Sequence, residues 1–158
     1  MQRYAGFAPE HDKKTFPALD SDLRPEHSPI LAGKRVDVVE DEGITQMQLR
    51  RILRNAGLKV VGSATNGAEG VEVVLRERPD LVLMDIRMPG SFDGLEAARR
   101  ILSEHRVCIV MLTAFSGGEY QKQAEELNIC GYVLKPVTTE SLIPQLEAAI
   151  RGFNAPPL

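Results

Sequence analysis

Four short apolar runs in this sequence each end at a side chain that could do chemistry. In chain order the residues at these ends are Glu40 with Asp41, Asp85, Thr113 and Lys135. Runs of this length, rich in β-branched residues, are typical of strands buried on both faces of a parallel sheet. The carboxyl ends of such strands lie along one edge, where ligands bind. The sequence therefore predicts one pocket that holds three carboxylates, a hydroxyl and an ammonium.

Three carboxylates in one pocket need a cation. Glu40, Asp41 and Asp85 would repel one another, and some would have to stay protonated, unless a hard divalent ion were bound. Mg²⁺ suits such a site because it takes one or two carboxylates together with water and phosphate. Asp41 could instead cap a helix in solvent, whereas Asp85 ends an unbroken apolar run. Lys135 is the natural counter-charge, and its ammonium can also bind a phosphoryl oxygen.

Other common kinds of site are not expected. The segment 40–43, which reads Glu-Asp-Glu-Gly, is acidic where a nucleotide site needs glycines and backbone amides. Neither a Ser-His-Asp nor a Cys-His arrangement is apparent, and His105 is interpreted as a solvated residue at a helix end. The two cysteines, Cys108 and Cys130, are expected to be buried free thiols rather than a disulfide or a metal pair.

Alternating strand and helix patterns position the chemical residues. The predicted strands are 35–40, 58–64, 80–85, 108–113 and 131–134. The predicted helices are 43–56, 67–77, 94–104, 117–128 and 139–151. Five βα units with short right-handed crossovers form an α/β, doubly wound sandwich. Its parallel sheet is expected to have the flavodoxin-like strand order 2-1-3-4-5.

Three details of these elements are also predicted. Asn66 is expected to cap the second helix, whose buried stripe should be Ala68, Val71, Val74 and Leu75. Asp37 lies inside the first strand, where it must either face a solvated edge or pair locally. Pro144 falls early in the last helix, which must either start at Ser141 or bend there, because proline removes a hydrogen-bond donor.

Composition sets the remaining bounds. The 158 residues carry a net charge of −3, which gives no general attraction to nucleic acid or anionic membranes. No apolar run approaches the roughly 20 residues that span a bilayer, and the amino terminus lacks a signal peptide's apolar core, so a cytoplasmic location is expected. Residues 1–33 are predicted to be a flexible or loosely docked extension. Residues 34–151 form the one predicted domain, and 152–158 a short tail.

Residues 34–151 resemble the receiver domain of two-component response regulators. The motifs that carry the resemblance are 38–42, 79–89, 93–97, 112–114 and 131–136, which together cover the predicted pocket. The resemblance implies that Asp85 is the phosphoacceptor. Its phosphoryl group would come from a sensor histidine kinase or a histidine phosphotransfer protein.

The resemblance also implies roles for the other pocket residues. The groups implied to hold Mg²⁺ are the side chains of Glu40, Asp41 and Asp85 and the main-chain carbonyl of Arg87. Thr113 and Lys135 would bind the phosphoryl oxygens. Tyr132 would be the switch aromatic, turning inward when Thr113 moves toward the phosphate. The peptide bond between Lys135 and Pro136 is expected to be cis.

The predicted function is that of a single-domain regulator that acts through protein contacts. It would phosphorylate and dephosphorylate itself without being a turnover enzyme, and it would act on a downstream protein without binding DNA directly; homodimer formation is left open. A fold-only interaction module is the alternative, motivated by Asp37 and Pro144. A Mg²⁺-dependent phosphatase is disfavoured, because Asp85-Ile86-Arg87 lacks a second acid two residues on.

Overall fold

Five strands alternate with five helices in the part of the chain that the structure describes. The computed structural model describes residues 27–114 and 118–155, without the side chains of 118–121. The strands are β1 Arg35–Val39, β2 Lys59–Ala64, β3 Leu81–Asp85, β4 Cys108–Thr113 and β5 Gly131–Leu134. The helices are α1 Gly43–Asn55, α2 Gly67–Glu77, α3 Gly94–Leu102, α4 Gly118–Glu126 and α5 Thr139–Asn154. Every predicted strand and helix is therefore present, with small shifts at the ends.

The five strands form one parallel sheet in the order β2-β1-β3-β4-β5. This confirms the predicted α/β, flavodoxin-like arrangement. The register pairs Val39 with Met84 and Asp85 with Leu112, and it pairs Thr113 with Leu134. Four strands thus end at nearly the same level, and the residues that follow them meet at one edge of the sheet.

Helices cover both faces of the sheet. Leu81 and Leu83 of β3 face a core that α1 and α5 cover, whereas Val82 and Met84 face the core under α2 and α3. All five residues of β3 and all six of β4 are buried. The near-continuous apolar strands follow from this two-sided burial, which is the rule for parallel sheets.

Helix α2 matches the predicted stripe only in part: Val74 is buried and Val71 and Leu75 are half-buried, but Ala68 is not buried. Its buried residues are Gly67, Gly70, Val73 and Val74, whereas Ala68 is exposed. A Cβ atom on Gly70 would lie 2.9 Å from Cγ1 of Val39, so the glycine lets the helix approach β1 closely. The predicted cap is confirmed, since Oδ1 of Asn66 accepts a hydrogen bond of 2.8 Å from the Glu69 N–H.

Asp37 is fully buried within β1, so neither a solvated edge nor a local pair describes it. Its two carboxyl oxygens have no hydrogen-bond partner among the described residues. The ladder between β1 and β2 is irregular between Val36 and Asp37, and Asp37 lies opposite Gly62. A Cβ atom on Gly62 would lie 2.6 Å from Oδ1 of Asp37. The side chain therefore occupies space that a glycine on the neighbouring strand leaves open.

Helix α5 begins at Thr139, as predicted, and contains Pro144, so the alternative start at Ser141 is not adopted. Thr138 caps the helix: its Oγ1 accepts from the Ser141 N–H at 3.1 Å, and Oγ of Ser141 accepts from the Thr138 N–H at 3.0 Å. This reciprocal capping box fixes the first turn ahead of the proline.

The chain before β1 packs against the end of α1. The Ser28 N–H donates to the Ala56 carbonyl at 3.1 Å, and Leu31 is fully buried. Residues 1–26 of the predicted extension and 156–158 of the predicted tail lie outside the described residues, so the division into extension, domain and tail stays a prediction. Among the described helices, none is both long and apolar enough to cross a membrane.

Candidate functional site

The carboxyl ends of β1, β3, β4 and β5 surround a cavity of about 230 Å³. Its lining residues are Glu40, Asp41, Glu42, Asp85, Ile86, Arg87, Thr113, Ala114 and Lys135. Six of the seven predicted site residues are therefore brought together, and Tyr132 is the exception. Residues 115–117, which follow the cavity wall at Ala114, lie outside the described part of the chain.

The ammonium of Lys135 is shared by two buried carboxylates. Its Nζ atom lies 3.0 Å from Oδ2 of Asp85 and 2.9 Å from Oε1 of Glu40. The Glu40 side chain is fully buried, that of Asp85 is 6% exposed, and that of Lys135 is 22% exposed. Removal from water strengthens these charge interactions but also adds a desolvation cost, so each charge depends on the others.

Backbone groups bind the remaining carboxylate oxygens. Oδ1 of Asp85 accepts a hydrogen bond of 3.3 Å from the Arg87 N–H, and Oε2 of Glu40 accepts one of 3.1 Å from the Glu42 N–H. Both donors lie two residues after their acceptors, where the chain turns away from the strand. The turns after β1 and β3 therefore fix the orientation of the two acids.

Proton affinity in the site is set by burial and by the shared ammonium. Burial raises the pKa of Glu40 to about 7, although the Lys135 and Glu42 hydrogen bonds oppose the rise and nearby Asp85 adds to it. Burial would lower the pKa of Lys135, but Glu40 and Asp85 outweigh it and raise that pKa instead. Near neutral pH, Glu40 is therefore poised to exchange a proton for another positive charge.

The acid cluster fits a hard divalent cation. One oxygen from each of Glu40, Asp41 and Asp85 lies within 4.8 Å of the others. Lys135, at 2.9 Å, is the one ion-pair partner that the described residues offer Oε1 of Glu40, so this oxygen keeps acceptor capacity for a cation. Asp41 is exposed and leaves one side of the cluster open to water. An all-oxygen set with one open side is what Mg²⁺ prefers.

Two supporting residues were not among the predicted site residues. A Cβ atom on Gly94 would overlap the carbonyl oxygen of Asp85, so only glycine lets α3 start beside the end of β3. Gln46 of α1 donates through Nε2 to the carbonyls of Glu40 and Ala64, each at 3.1 Å. A glycine directly after the capping Asp93 is a visible signal in the sequence, whereas nothing marks Gln46.

The last two strands meet through their backbones beside the cavity. The Lys135 N–H donates to the Thr113 carbonyl at 2.8 Å, and the peptide bond between Lys135 and Pro136 is cis, as expected. Tyr132 pairs with Met111 and packs at the edge of the core under α2 and α3. Its half-buried position raises the pKa of its phenol. The switch role of Tyr132 stays a prediction.

Comparison with known proteins agrees with this architecture. The family model described as the response regulator receiver domain matches residues 36–147. The chain is 40% identical over 121 residues to the transcriptional regulatory protein PdtaR of Mycobacterium tuberculosis, covering 77% of this chain and 58% of that protein. It is 33% identical over 119 residues to the transcriptional regulatory protein YdfI of Bacillus subtilis, covering 75% and 55%. The chain thus spans little more than half the length of these relatives.

Solved structures show the same fold. The crystal structure of the response regulator domain of Thermotoga maritima CheB has a TM-score of 0.67 and 30% identity, covering 79% of this chain and 99% of that one. The signal receiver domain of a modulated diguanylate cyclase from Desulfovibrio desulfuricans has a TM-score of 0.70 and 33% identity, covering 77% and 96%.

Proposed function

This chain belongs to the response regulator receiver domain family of two-component signalling, and we propose that Asp85 is its phosphoacceptor. The observation that carries the proposal is the position of Asp85 in the cavity. Its carboxylate lies between the Lys135 ammonium at 3.0 Å and two further acids that can hold a cation. A carboxylate placed in this way can act as a nucleophile toward phosphorus, because its own charge is balanced before the donor arrives.

The proposed reaction moves a phosphoryl group from a histidine to Asp85. A carboxylate oxygen of Asp85 bonds to phosphorus, and the bond from phosphorus to the histidine nitrogen of the partner breaks. Lys135 then pairs with a phosphoryl oxygen instead of Oδ2 of Asp85, and the Thr113 hydroxyl donates to another. Such transfers depend on positioning and charge stabilisation rather than on further covalent help.

Mg²⁺ is the proposed cofactor of this site. The groups that would hold it are the side chains of Glu40, Asp41 and Asp85 and the main-chain carbonyl of Arg87. When bound, Mg²⁺ supplies positive charge to the oxygens of the phosphoryl group in transfer. Burial of Glu40 and the exposed position of Asp41 support this set, because one fixed ligand and one solvated ligand leave room for water and phosphate.

The proposed output is a change in a protein-interaction surface near β5. Thr113 ends β4, and its carbonyl accepts from the Lys135 N–H, so movement of Thr113 toward a phosphate would be felt at β5. Tyr132 is the proposed reporter of this movement, and the half-exposed Leu134 lies in the same strand. The partners would be a sensor histidine kinase or a histidine phosphotransfer protein, and a downstream protein, all in the cytoplasm.

Labelling with a small phosphodonor tests the proposal. Full-length protein incubated with acetyl phosphate and Mg²⁺ should gain the mass of one phosphoryl group, and hydroxylamine should remove it as it does other acyl phosphates. Asp85→Asn should gain nothing, and chelation of Mg²⁺ should prevent labelling of the unchanged chain.

Asp93→Asn is the matched control. Asp93 caps α3 and does not line the cavity, and asparagine keeps the capping oxygen. This variant should label as well as the unchanged chain. Equal labelling of Asp85→Asn, or no labile phosphate at all, would instead favour the fold-only interaction module.

A further inference from the structure

The outer side of α1 carries exposed apolar and basic side chains next to one another. One stripe of this helix, called the α1 face below, consists of Ile44, Met47, Arg51 and Arg54, which are three or four residues apart and all exposed. Ile44 is 76% exposed and Met47 is 64% exposed, and only Leu134 is another large exposed apolar side chain among the described residues. Adjacent apolar side chains left in water are typical of an interaction surface.

The basic part of the α1 face has no acidic partner among the described residues. A cavity of about 360 Å³ is lined there by Met47, Arg50, Arg51, Arg54 and Asn55. None of the ion pairs between described residues includes one of these three arginines. Nε of Arg50 is buried and has no hydrogen-bond partner in the same part of the chain. Three guanidinium groups without a counter-charge favour an occupant that carries carboxylates.

The chain enters the described structure at the carboxyl end of α1. A Cβ atom on Gly57, two residues after this helix, would lie 3.5 Å from Cγ of His27. The α1 face is about 15 Å long, whereas the eight residues 19–26 can span about 26 Å when extended. The segment directly before His27 is therefore long enough to run along the whole α1 face.

Segment 19–26 also has side chains that complement the α1 face. It reads Leu-Asp-Ser-Asp-Leu-Arg-Pro-Glu, so it carries three acids against one arginine. Glu26 and Asp22 are nearest in sequence to the anchor at His27, and the arginines lie at that end of the α1 face. Leu19 is farthest from the anchor, and the exposed apolar side chains lie at the far end. The order of charges and apolar groups is therefore the same along both.

We propose that segment 19–26 of this chain docks along the α1 face, with its acids on the arginines and Leu19 against Met47. The tether at His27 keeps the local concentration of the segment high, which favours it over a second copy of the chain. Docking withholds the α1 face from other proteins, and release exposes it. The α1 face includes no residue of the phosphoacceptor cavity, so docking leaves Asp85 open to a small phosphodonor.

Disulfide trapping in the full chain tests where Leu19 lies. The native cysteines are free thiols, as predicted, with Cys108 buried and Cys130 half-buried, so Cys130→Ser removes the more accessible one. In that background, Leu19→Cys with Met47→Cys should form an internal disulfide under mild oxidation, detected as a monomer that is lighter by two hydrogens. Leu19→Cys with Leu134→Cys is the matched control, because Leu134 is also exposed but lies on β5. Only docking concentrates Leu19 at one of these positions, so the control should form about tenfold less disulfide.

Charge reversal separates docking from chance contact. Arg51→Glu with Arg54→Glu should slow the trapping of the Leu19 and Met47 pair about tenfold, because like charges then face each other. Adding Asp22→Arg with Glu26→Arg to the same chain should restore most of the rate, since opposite charges face each other again.

Two further measurements complete the test. Lys122→Glu with Arg151→Glu changes exposed charges outside α1 and should trap like the parent pair. Every variant should label at Asp85 with acetyl phosphate as the unchanged chain does, so a failure of docking and a failure of the proposed function give different results. Equal trapping at Met47 and Leu134, or a loss on charge reversal that the second reversal does not restore, would overturn the proposal. Disulfide-linked dimers in place of the internal disulfide would also overturn it, because the occupant would then be a second copy.

Discussion

Asp37 lies in the middle of β1, and Glu40 directly follows that strand. Both carboxyl groups are fully buried, but their surroundings differ. Burial raises the pKa of each to about 7. Glu40 lies 2.9 Å from the ammonium of Lys135 and lines an open cavity. Asp37 has no hydrogen-bond partner among the described residues, and it lies opposite Gly62 of the neighbouring strand.

Burial raises the pKa of both acids, but it does not decide whether a cation can replace the bound proton. Around Asp37, the charge of Glu77 adds to the effect of burial, while Arg35 and Arg76 oppose it only partly. The carboxyl group can therefore be neutralised only by a proton. Glu40 has the same proton affinity, but an ammonium and an adjacent acid cluster let a cation take the proton's place. The ammonium of Lys135 and the open cavity, rather than burial itself, therefore distinguish Glu40 as the candidate functional acid.

Removing the charge of Asp37 should have the largest effect on stability. The pKa of Asp37 is raised from 3.8 in the unfolded chain to about 7 in the fold. Its contribution to stability is therefore present below about pH 4 and is lost as the pH rises through about 7. Asp37→Asn removes this loss, so its free energy of unfolding relative to the unchanged chain should rise by about 3 kcal/mol between pH 5 and pH 8.

Urea unfolding at the two pH values measures the effect. Glu104→Gln, at an exposed acid after α3, is the control and should keep the pH dependence of the unchanged chain. If Asp37→Asn lost stability with pH as steeply as the unchanged chain, Asp37 would not be the buried group that takes up the proton, and the comparison with Glu40 would break.

Removing the ammonium should make the phosphoacceptor pocket resemble the surroundings of Asp37. Lys135→Met leaves Glu40 and Asp85 buried without a counter-charge, which should cost about 2 kcal/mol of unfolding free energy at pH 8. Millimolar Mg²⁺ should recover most of this loss, because a cation then replaces the ammonium.

Lys135→Arg keeps the positive charge and is the matched control. It should lose less stability than Lys135→Met and gain less from Mg²⁺. Thermal or urea unfolding with and without Mg²⁺ gives both quantities. A Lys135→Met protein as stable as the unchanged chain, or one that Mg²⁺ does not restore, would show that the two acids do not depend on a cation.

The cavity residues could be predicted because each one terminates a strand. Asp85, Thr113 and Lys135 follow apolar runs that only a buried parallel strand explains, and parallel strands bring their ends together. This prediction needs no measured distances, because strand pairing in a parallel sheet places the strand ends side by side. The strand order and the composition of the cavity therefore followed from local signals.

The surroundings of Asp37 and the buried stripe of α2 could not be predicted in the same way. Gly67 and Gly70 are buried and Gly62 is half-buried. At each of them a Cβ atom would crowd a neighbouring residue, and glycine carries no hydrophobic signal. Whether a glycine marks a turn or a close approach depends on a residue far along the chain. Gln46 is similar, because its two acceptors are carbonyls that only the fold brings together.

Filling the space beside Asp37 should have a smaller effect than removing the ammonium. In Gly62→Ala the new Cβ would lie 2.6 Å from Oδ1 of Asp37 and 2.6 Å from Cγ1 of Val73, and the resulting overpacking should cost about 1 kcal/mol. Gly43→Ala, where the new Cβ meets nothing within 4 Å, should not destabilise the fold. In an Asp37→Ala background the cost of Gly62→Ala should shrink, and strictly additive losses would show that the two positions do not share space.

The smallest expected effect is the number of protons that Mg²⁺ displaces. It is also the most direct test of the comparison between Glu40 and Asp37. Because the metal-free pKa of Glu40 is about 7, binding near neutral pH should release a fraction of a proton, and apparent Mg²⁺ affinity should rise as the pH increases through 7. Titration calorimetry in two buffers of different ionisation enthalpy counts the protons. Asp37→Asn should release the same fraction, since the enclosed acid cannot exchange its proton for a metal. A release that disappears in Asp37→Asn would assign the displaced proton to Asp37 and reverse the roles of the two acids.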